Sequence, residues 1–393
     1  CDHYHRYRED VALMKKMGLK SYRFSVSWSR ILPDGTEKIN QKGIEFYQSL
    51  VRELKAAGIE PMVTLYHWDL PYALYLQGGW KNPQIPDWFA AYTKIVVEAL
   101  SDQVQYWMTL NEPQCFVGIG HLQGRHAPFL DEPASLRPVT RHVLLAHAKA
   151  VQTIRQYAKL PPKVGYAPTG PVFSPCGDES EAAIAEAYRR TMEVEGCYSI
   201  SWWCDPVLLG RVPEPMAKAL GADVFTPQEL ELLHQPLDYL GFNVYNACAA
   251  QQPGSEYTAN TWQGSPRTAM EWPITPDCIY WAIRFLNQRY GRPILITENG
   301  MANTDFVMLD GKVHDPQRID YVHRHLLAAR RALQEGYPLI GYTYWSIMDN
   351  YEWAEGYSKR FGLIYVDYRT MERIPKDSAA WYAHVIATNG SEL

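Results

Sequence analysis

The chain has 393 residues, 47% of them hydrophobic and 21% charged, with a formal net charge of 38 − 43 = −5. So much apolar material can bury a core, which excludes a disordered chain, and no basic stripe marks a nucleic-acid surface. The sequence has no apolar run of about 18 residues, so no membrane span is expected.

Short apolar runs and amphipathic stretches alternate in chain order. Helical patterns cover 2–17, 41–57, 86–101, 140–157, 181–199, 276–290, 316–334 and 376–387, several opening near a proline, which suits a first helical turn. Between them lie β-branched and aromatic runs at 21–26, 61–66, 106–110, 163–167, 239–244, 294–297 and 339–344, read as strands buried on both faces. This alternation predicts parallel βα units and the α/β class, as a (β/α)8 TIM-type barrel in one domain spanning 1–393. Eight helices against seven strands leave the barrel's first strand missing from this chain. A doubly wound sheet is the alternative, but no Gly-rich phosphate loop follows an early strand.

Seven cysteines, an odd number without CxxC spacing, predict free thiols in a reducing compartment rather than a disulfide frame or a zinc site. No signal-peptide pattern opens the sequence, so a cytoplasmic location is expected. The aromatic residues comprise 27 Tyr and 13 Trp against 11 Phe, rings with a polar edge that suit stacking on sugars as well as core packing.

Barrel active sites stand at the C-terminal ends of the strands. Those ends carry His67, Trp68 and Asp69, then Asn111 and Glu112, then Asn243 and Tyr245, then Glu298 and Asn299. The last expected strand ends in Trp345, followed by Asp349, Glu352 and Trp353, and Arg23 lies within the first. A carboxylate on a closed rim is costly unless it is paired or working. Two of them, Glu112 and Glu298, predict glycosidic-bond cleavage: one protonates the leaving oxygen, while the other attacks the anomeric carbon or activates water.

Longer segments carry a resemblance. CDHYHRYRED (1–10), YRFSVSWSRILP (22–33), VTLYHWDLP (63–71), TLNEP (109–113), ITENG (296–300) and YEWAEGYSKRFG (351–362) occur in this order. In them the chain resembles the family 1 glycoside hydrolases, the retaining β-glucosidase family, over nearly its whole length. The resemblance implies that Glu112 is the general acid/base and Glu298 the nucleophile, with carboxyl groups about 5 Å apart as retention requires. It further implies that Asn111 binds the sugar 2-hydroxyl. His67, Trp68, Asn243 and Tyr245 are implied to line the sugar site, with Trp345 under the ring and Trp272 as an aglycone platform. Glu352 and Trp353 would hold the hydroxyls farthest from the scissile bond, and Arg23 and Tyr245 would flank the nucleophile.

The substrates implied are small β-glycosides or short oligosaccharides: β-glucosides first, with β-galactosides or β-fucosides beside them. Glu352 would repel a 6-phosphate, and an intact Glu112 separates the chain from the thioglucosidase branch. No cofactor or metal is expected; His3, His5, His121, His126 and His147 make no metal spacing. Transglycosylation and a sugar-binding protein of reduced or no activity are the alternatives. The resemblance implies a first strand and a sugar-gripping glutamine ahead of the segment that opens this sequence, so that either the sequence is a fragment or the enzyme is a shortened one. A gap is therefore expected between strands 21–26 and 339–344, whose free edges could support an oligomer.

Overall fold

The computed structural model describes residues 1–175, 177–250 and 264–393, so Cys176 lies outside the described residues. The strands are β1 (Ser21–Ser25), β2 (Glu60–Tyr66), β3 (Tyr106–Asn111), β4 (Lys163–Ala167), β5 (Val172–Ser174), β6 (Leu240–Asn243), β7 (Ala247–Ala249), β8 (Ile294–Asn299), β9 (Leu339–Tyr344), β10 (Ile364–Val366) and β11 (Arg373–Pro375). All seven expected strands are present. The count of seven is corrected by β5, β7, β10 and β11, three-residue strands too short to leave a pattern in the sequence.

The count of eight helices is corrected as well. Short helices at Trp28–Ile31, Tyr72–Tyr75, Glu214–Leu220 and Pro227–Leu233 join the eight expected ones. The stretch expected as one helix over 181–199 ends at Glu193, and a new helix, Ile200–Leu208, follows. Gly196, at φ 80, takes the left-handed conformation between them, which an α-helix cannot continue through.

By contacts the chain forms two compact units: Ser21–Gly170 with Met192–Phe242, and Cys1–Lys20 with Pro171–Thr191 and Asn243–Leu393. In the first unit, β1, β2, β3 and β4 pair in parallel in that order, with Arg23 opposite Met62 and Tyr66 opposite Leu110. Helices Gln41–Ala56, Ile85–Leu100 and Leu136–Tyr157 connect or follow these strands, each amphipathic with one buried stripe. The core beneath the strand ends is aromatic. Trp28 stacks on Tyr92 at 5.0 Å, and the Tyr92 hydroxyl lies 3.1 Å from the Val26 and 2.9 Å from the Leu65 carbonyl oxygen. That phenol stays protonated because burial raises its pKa well above the ordinary tyrosine value, so it can donate where β1 and β2 end.

In the second unit, β8 pairs in parallel with β9, β5 with β7, and β10 antiparallel with β11. Met17, from the N-terminal segment, packs with Met348, Leu363, Ile364, Val366 and Ala379. Asp10 ties helix His3–Lys16 to β11 through a buried two-pronged pair with Arg373 at 2.8 and 3.2 Å. β1 and β9 each stand at the edge of their own sheet. No helix among the described residues is long and apolar enough to cross a membrane. Parallel strands alternating with helices make this an α/β protein, as expected.

Candidate active site

In the first unit, three strands deliver one polar cluster. β3 ends at Asn111, wholly buried; β2 leads into His67 and Trp68; β1 carries Arg23. An Arg23 terminal nitrogen donates to Asn111 Oδ1 at 2.6 Å, and Asn111 Nδ2 lies 3.1 Å from His67 Nε2. A guanidinium only donates, so the Asn111 atom facing it is the amide oxygen, and the amide NH2 must face the histidine. His67 Nε2 then accepts, and the ring is neutral with its proton on Nδ1. Electrostatics agree: burial, and then the Arg23 charge, lower the His67 pKa to about 3. Trp68, at φ 80, turns its indole N–H onto the Asn111 carbonyl at 2.9 Å and sets its ring 5.5 Å from that of His126.

Glu112 follows at once. It is 7% exposed and sits at φ 43, in the left-handed region that costs a side chain conformational energy. Its N–H donates to the Ala167 carbonyl at 2.8 Å, which anchors the residue against the end of β4. The Cys115 thiol donates to Glu112 Oε2 at 3.1 Å. Sequence reasoning missed that contact, since a lone cysteine three residues away carries no spacing signal. After Pro113 comes a π-helix, Gln114–Leu122, a widened turn often found at functional sites. Phe116 pins it, packing on Tyr66 at 5.1 Å and Trp80 at 5.4 Å.

The second unit builds its cluster on β8. Glu298, 4% exposed, receives the Tyr245 hydroxyl on Oε2 at 2.7 Å. Asn299 beside it is a hub that the sequence did not single out for a role. It donates to the Val244 carbonyl at 2.7 Å and accepts from the Tyr342 hydroxyl at 2.8 Å, while Tyr321 donates to the Tyr245 carbonyl at 2.8 Å. Asn243 is wholly buried, its side-chain oxygen taking the Thr297 hydroxyl at 2.6 Å. The Trp272 ring lies 5.1 Å from that of Tyr245, tilted by 55°.

Beyond β9, the Trp345 N–H donates to the Asn299 carbonyl at 2.8 Å, and the Trp345–Ser346 peptide is cis. Gly300 has to be glycine, because a Cβ there would collide with the Trp345 carbonyl oxygen. Glu352 is half-buried and opens a tight turn, its N–H bonded to the Gly356 carbonyl at 2.7 Å, with Trp353 at φ 44.

Of the histidines without metal spacing, His147 lies 2.6 Å from the Thr109 hydroxyl, with its pKa lowered by burial to about 3. His3 faces Asp10 at 2.7 Å, and His121 Nδ1 lies 2.9 Å from the Phe116 carbonyl oxygen. Among the described residues, no group of three or more His, Cys, Asp or Glu side chains could hold a metal ion.

The sequence matches Glycosyl hydrolase family 1 over residues 1–391. It is 42% identical to beta-glucosidase A of Thermotoga maritima across 100% of this chain and 88% of that enzyme. It is 41% identical to beta-glucosidase A of Acetivibrio thermocellus, across 99% of this chain and 88% of that enzyme. The solved beta-glucosidase from Thermotoga maritima in complex with glucoimidazole superposes with a TM-score of 0.90 at 41% identity, covering 99% of this chain and 88% of that one. The same enzyme in complex with deoxynojirimycin gives 0.89, and the (β/α)8 fold class expected from the alternation stands.

Proposed function

The chain belongs to glycosyl hydrolase family 1, whose activity here is retaining hydrolysis of β-glucosides, and from that premise we propose which residues carry it out. Glu298 is the nucleophile and Glu112 the acid/base, within one catalytic domain spanning 1–393. The observation that carries this division is the Tyr245 hydroxyl on Glu298 Oε2 at 2.7 Å. A phenol is a strong donor, and its hydrogen bond strengthens toward a charged acceptor, which suits the carboxylate that attacks. Glu112 instead receives the thiol of Cys115, a weak donor, which suits the carboxyl group that gives and takes a proton.

In the first step Glu298 attacks the anomeric carbon while the Glu112 proton passes to the leaving oxygen, giving a covalent glycosyl-enzyme. In the second, Glu112 takes a proton from water, which displaces Glu298 and restores the β-configuration. Asn111 holds the 2-hydroxyl, with its amide oxygen fixed by Arg23. His67 and Trp68 line the sugar site with Asn243 and Tyr245, Trp345 lies under the ring, and Trp272 faces the aglycone. Glu352, with Trp353, grips the distal hydroxyls by charge-assisted hydrogen bonds, each worth roughly 1.5–3 kcal/mol.

Substrates are small β-glycosides, with β-glucosides preferred and β-galactosides and β-fucosides also accepted. The scattered cysteines favour the cytoplasm, and the edges of β1 and β9 are the proposed surfaces for self-association. Nitrophenol release from an aryl β-glucoside, with the first sugar product followed by proton NMR, tests the reading. β-Glucose appearing first supports it; α-glucose first, or no release, contradicts it.

A further inference from the structure

Asp349 lies between Trp345 and Glu352 on the segment that follows β9, and its side chain is wholly buried. Lys376 Nζ donates to Asp349 Oδ1 at 2.8 Å and to Asp305 Oδ2 at 2.6 Å. Arg360 donates to Asp349 Oδ2 at 2.6 Å, and the Gly362 N–H to Oδ1 at 3.0 Å. Behind Lys376, Arg318 bonds Asp305 at 2.6 Å and also Asp315, whose Oδ2 takes the Ser378 hydroxyl at 2.6 Å. Three carboxylates (Asp305, Asp315, Asp349) balance three cations (Arg318, Arg360, Lys376). The backbone is equally tight here, since a Cβ at Gly362 would collide with the Asp349 nitrogen.

Burying five of these charges, with Arg360 half-buried beside them, costs desolvation that their mutual attraction barely offsets, so such a network is a weak source of net stability. Its better use is to fix geometry, and Asp349 is the member that belongs to the segment with Trp345 and Glu352. On its near side, Asn350 Nδ2 donates to Ser346 Oγ at 3.0 Å and closes the turn after Trp345. The Asp349 N–H is held by the Ile364 carbonyl at 3.0 Å, and toward Glu352 the Tyr368 hydroxyl donates to the Asn350 carbonyl at 3.2 Å.

We propose that Asp349, clamped between Lys376 and Arg360, is a positioning residue for sugar selectivity: it fixes the segment so that Glu352 meets the distal hydroxyls. The proposal rests on the reading of Glu352 as a sugar-binding residue. Positioning of this kind shows in the ratio of kcat/KM for nitrophenyl β-glucoside to that for nitrophenyl β-fucoside, which lacks the 6-hydroxyl.

Asp349→Asn keeps the shape and removes the charge that two cations hold. It is expected to lower the glucoside-to-fucoside ratio about tenfold, mostly through KM for the glucoside. Lys376→Met should do the same. Ser378→Ala, which removes the hydroxyl bonded to Asp315 and leaves Asp349 its partners, should lower the unfolding midpoint and leave the ratio unchanged. Equal losses on both sugars in Asp349→Asn would make the clamp merely structural and overturn the proposal. Should Asp349→Asn and Lys376→Met fail to fold, Arg360→Lys keeps the charge but shortens the reach. A shift of about threefold in the ratio is then expected, and no shift overturns the proposal. Glu352→Ala separates the two readings. If it leaves the ratio unchanged, the reading of Glu352 fails and takes the clamp with it. If it shifts the ratio while Asp349→Asn does not, the clamp alone fails.

Discussion

Arg23 and Asn111, 88 positions apart in sequence, meet at 2.6 Å, guanidinium nitrogen to amide oxygen, and this single bond orders the cluster around it. With the oxygen turned to Arg23, the Asn111 NH2 faces His67, and the histidine is fixed as the Nδ1–H tautomer.

Asn111→Ala removes both contacts and the proposed donor to the sugar 2-hydroxyl. The expected loss is roughly 2–4 kcal/mol of transition-state stabilisation, or about thirty- to a thousandfold in kcat/KM on β-glucosides. On a 2-deoxyglucoside the loss should shrink to a few-fold. An equal loss on both substrates would assign Asn111 to folding rather than to substrate.

His67, with its pKa lowered to about 3, first by burial and then by the Arg23 charge, stays neutral through the working range. Its ring resonances should therefore not titrate between about pH 5 and 8, where an ordinary histidine would. The linkage has a definite sign. The unfolded chain takes up this proton near the ordinary histidine value of 6.5 and the folded chain only near 3, so the stability His67 confers is full above 6.5 and falls as pH drops between the two. Urea unfolding of wild type and His67→Gln should diverge less at about pH 5 than at pH 7. A ring that titrates near 6.5 would remove the tautomer argument.

Asp10→Asn should destabilise the fold by about 3–5 kcal/mol at neutral pH, because it leaves the buried Arg373 guanidinium without its counter-charge. Burial pushes the Asp10 carboxyl upward, but hydrogen bonds from His3 and Arg373 outweigh it and hold the pKa below the ordinary aspartate value of 3.8. That contribution is complete above 3.8 and is lost as pH falls through the lower folded-state value. The variant should therefore lose less stability than wild type over the same acid range, as read from denaturant midpoints. A midpoint unchanged at neutral pH would show the pair to be worth nothing.

The sequence revealed the long strands because each is a continuous run of β-branched and aromatic residues bounded by turn signals, as in 106–110 and 294–297. It revealed the residues at their tips for the same reason: once β3 and β8 are placed, Glu112 and Glu298 are at their ends. What it hid depends on contacts across the chain. Nothing in periodicity announces that Arg23 reaches Asn111, that the Cys115 thiol turns onto Glu112, or that Asn299 joins Val244, Tyr321 and Tyr342. The π-helix at Gln114–Leu122 was hidden too, since its widened turn blurs the 3.6-residue pattern. The Asp349 network joins residues from 305 to 378, and each of its charges alone looks like an ordinary surface residue.

The roles of Glu298 and Glu112 are the centre of this account, and the stereochemistry of azide rescue tests them most directly. Glu298→Ala should lose turnover and recover part of it with azide, which would occupy the emptied space and give an α-glucosyl azide. In Glu112→Ala the glycosyl-enzyme still forms from an activated aryl glucoside, and azide attacking it should give the β-glucosyl azide. Proton NMR of the two products distinguishes the anomers. An α-azide from Glu298→Ala and a β-azide from Glu112→Ala are predicted; the reverse pairing would exchange the two roles and contradict the assignment.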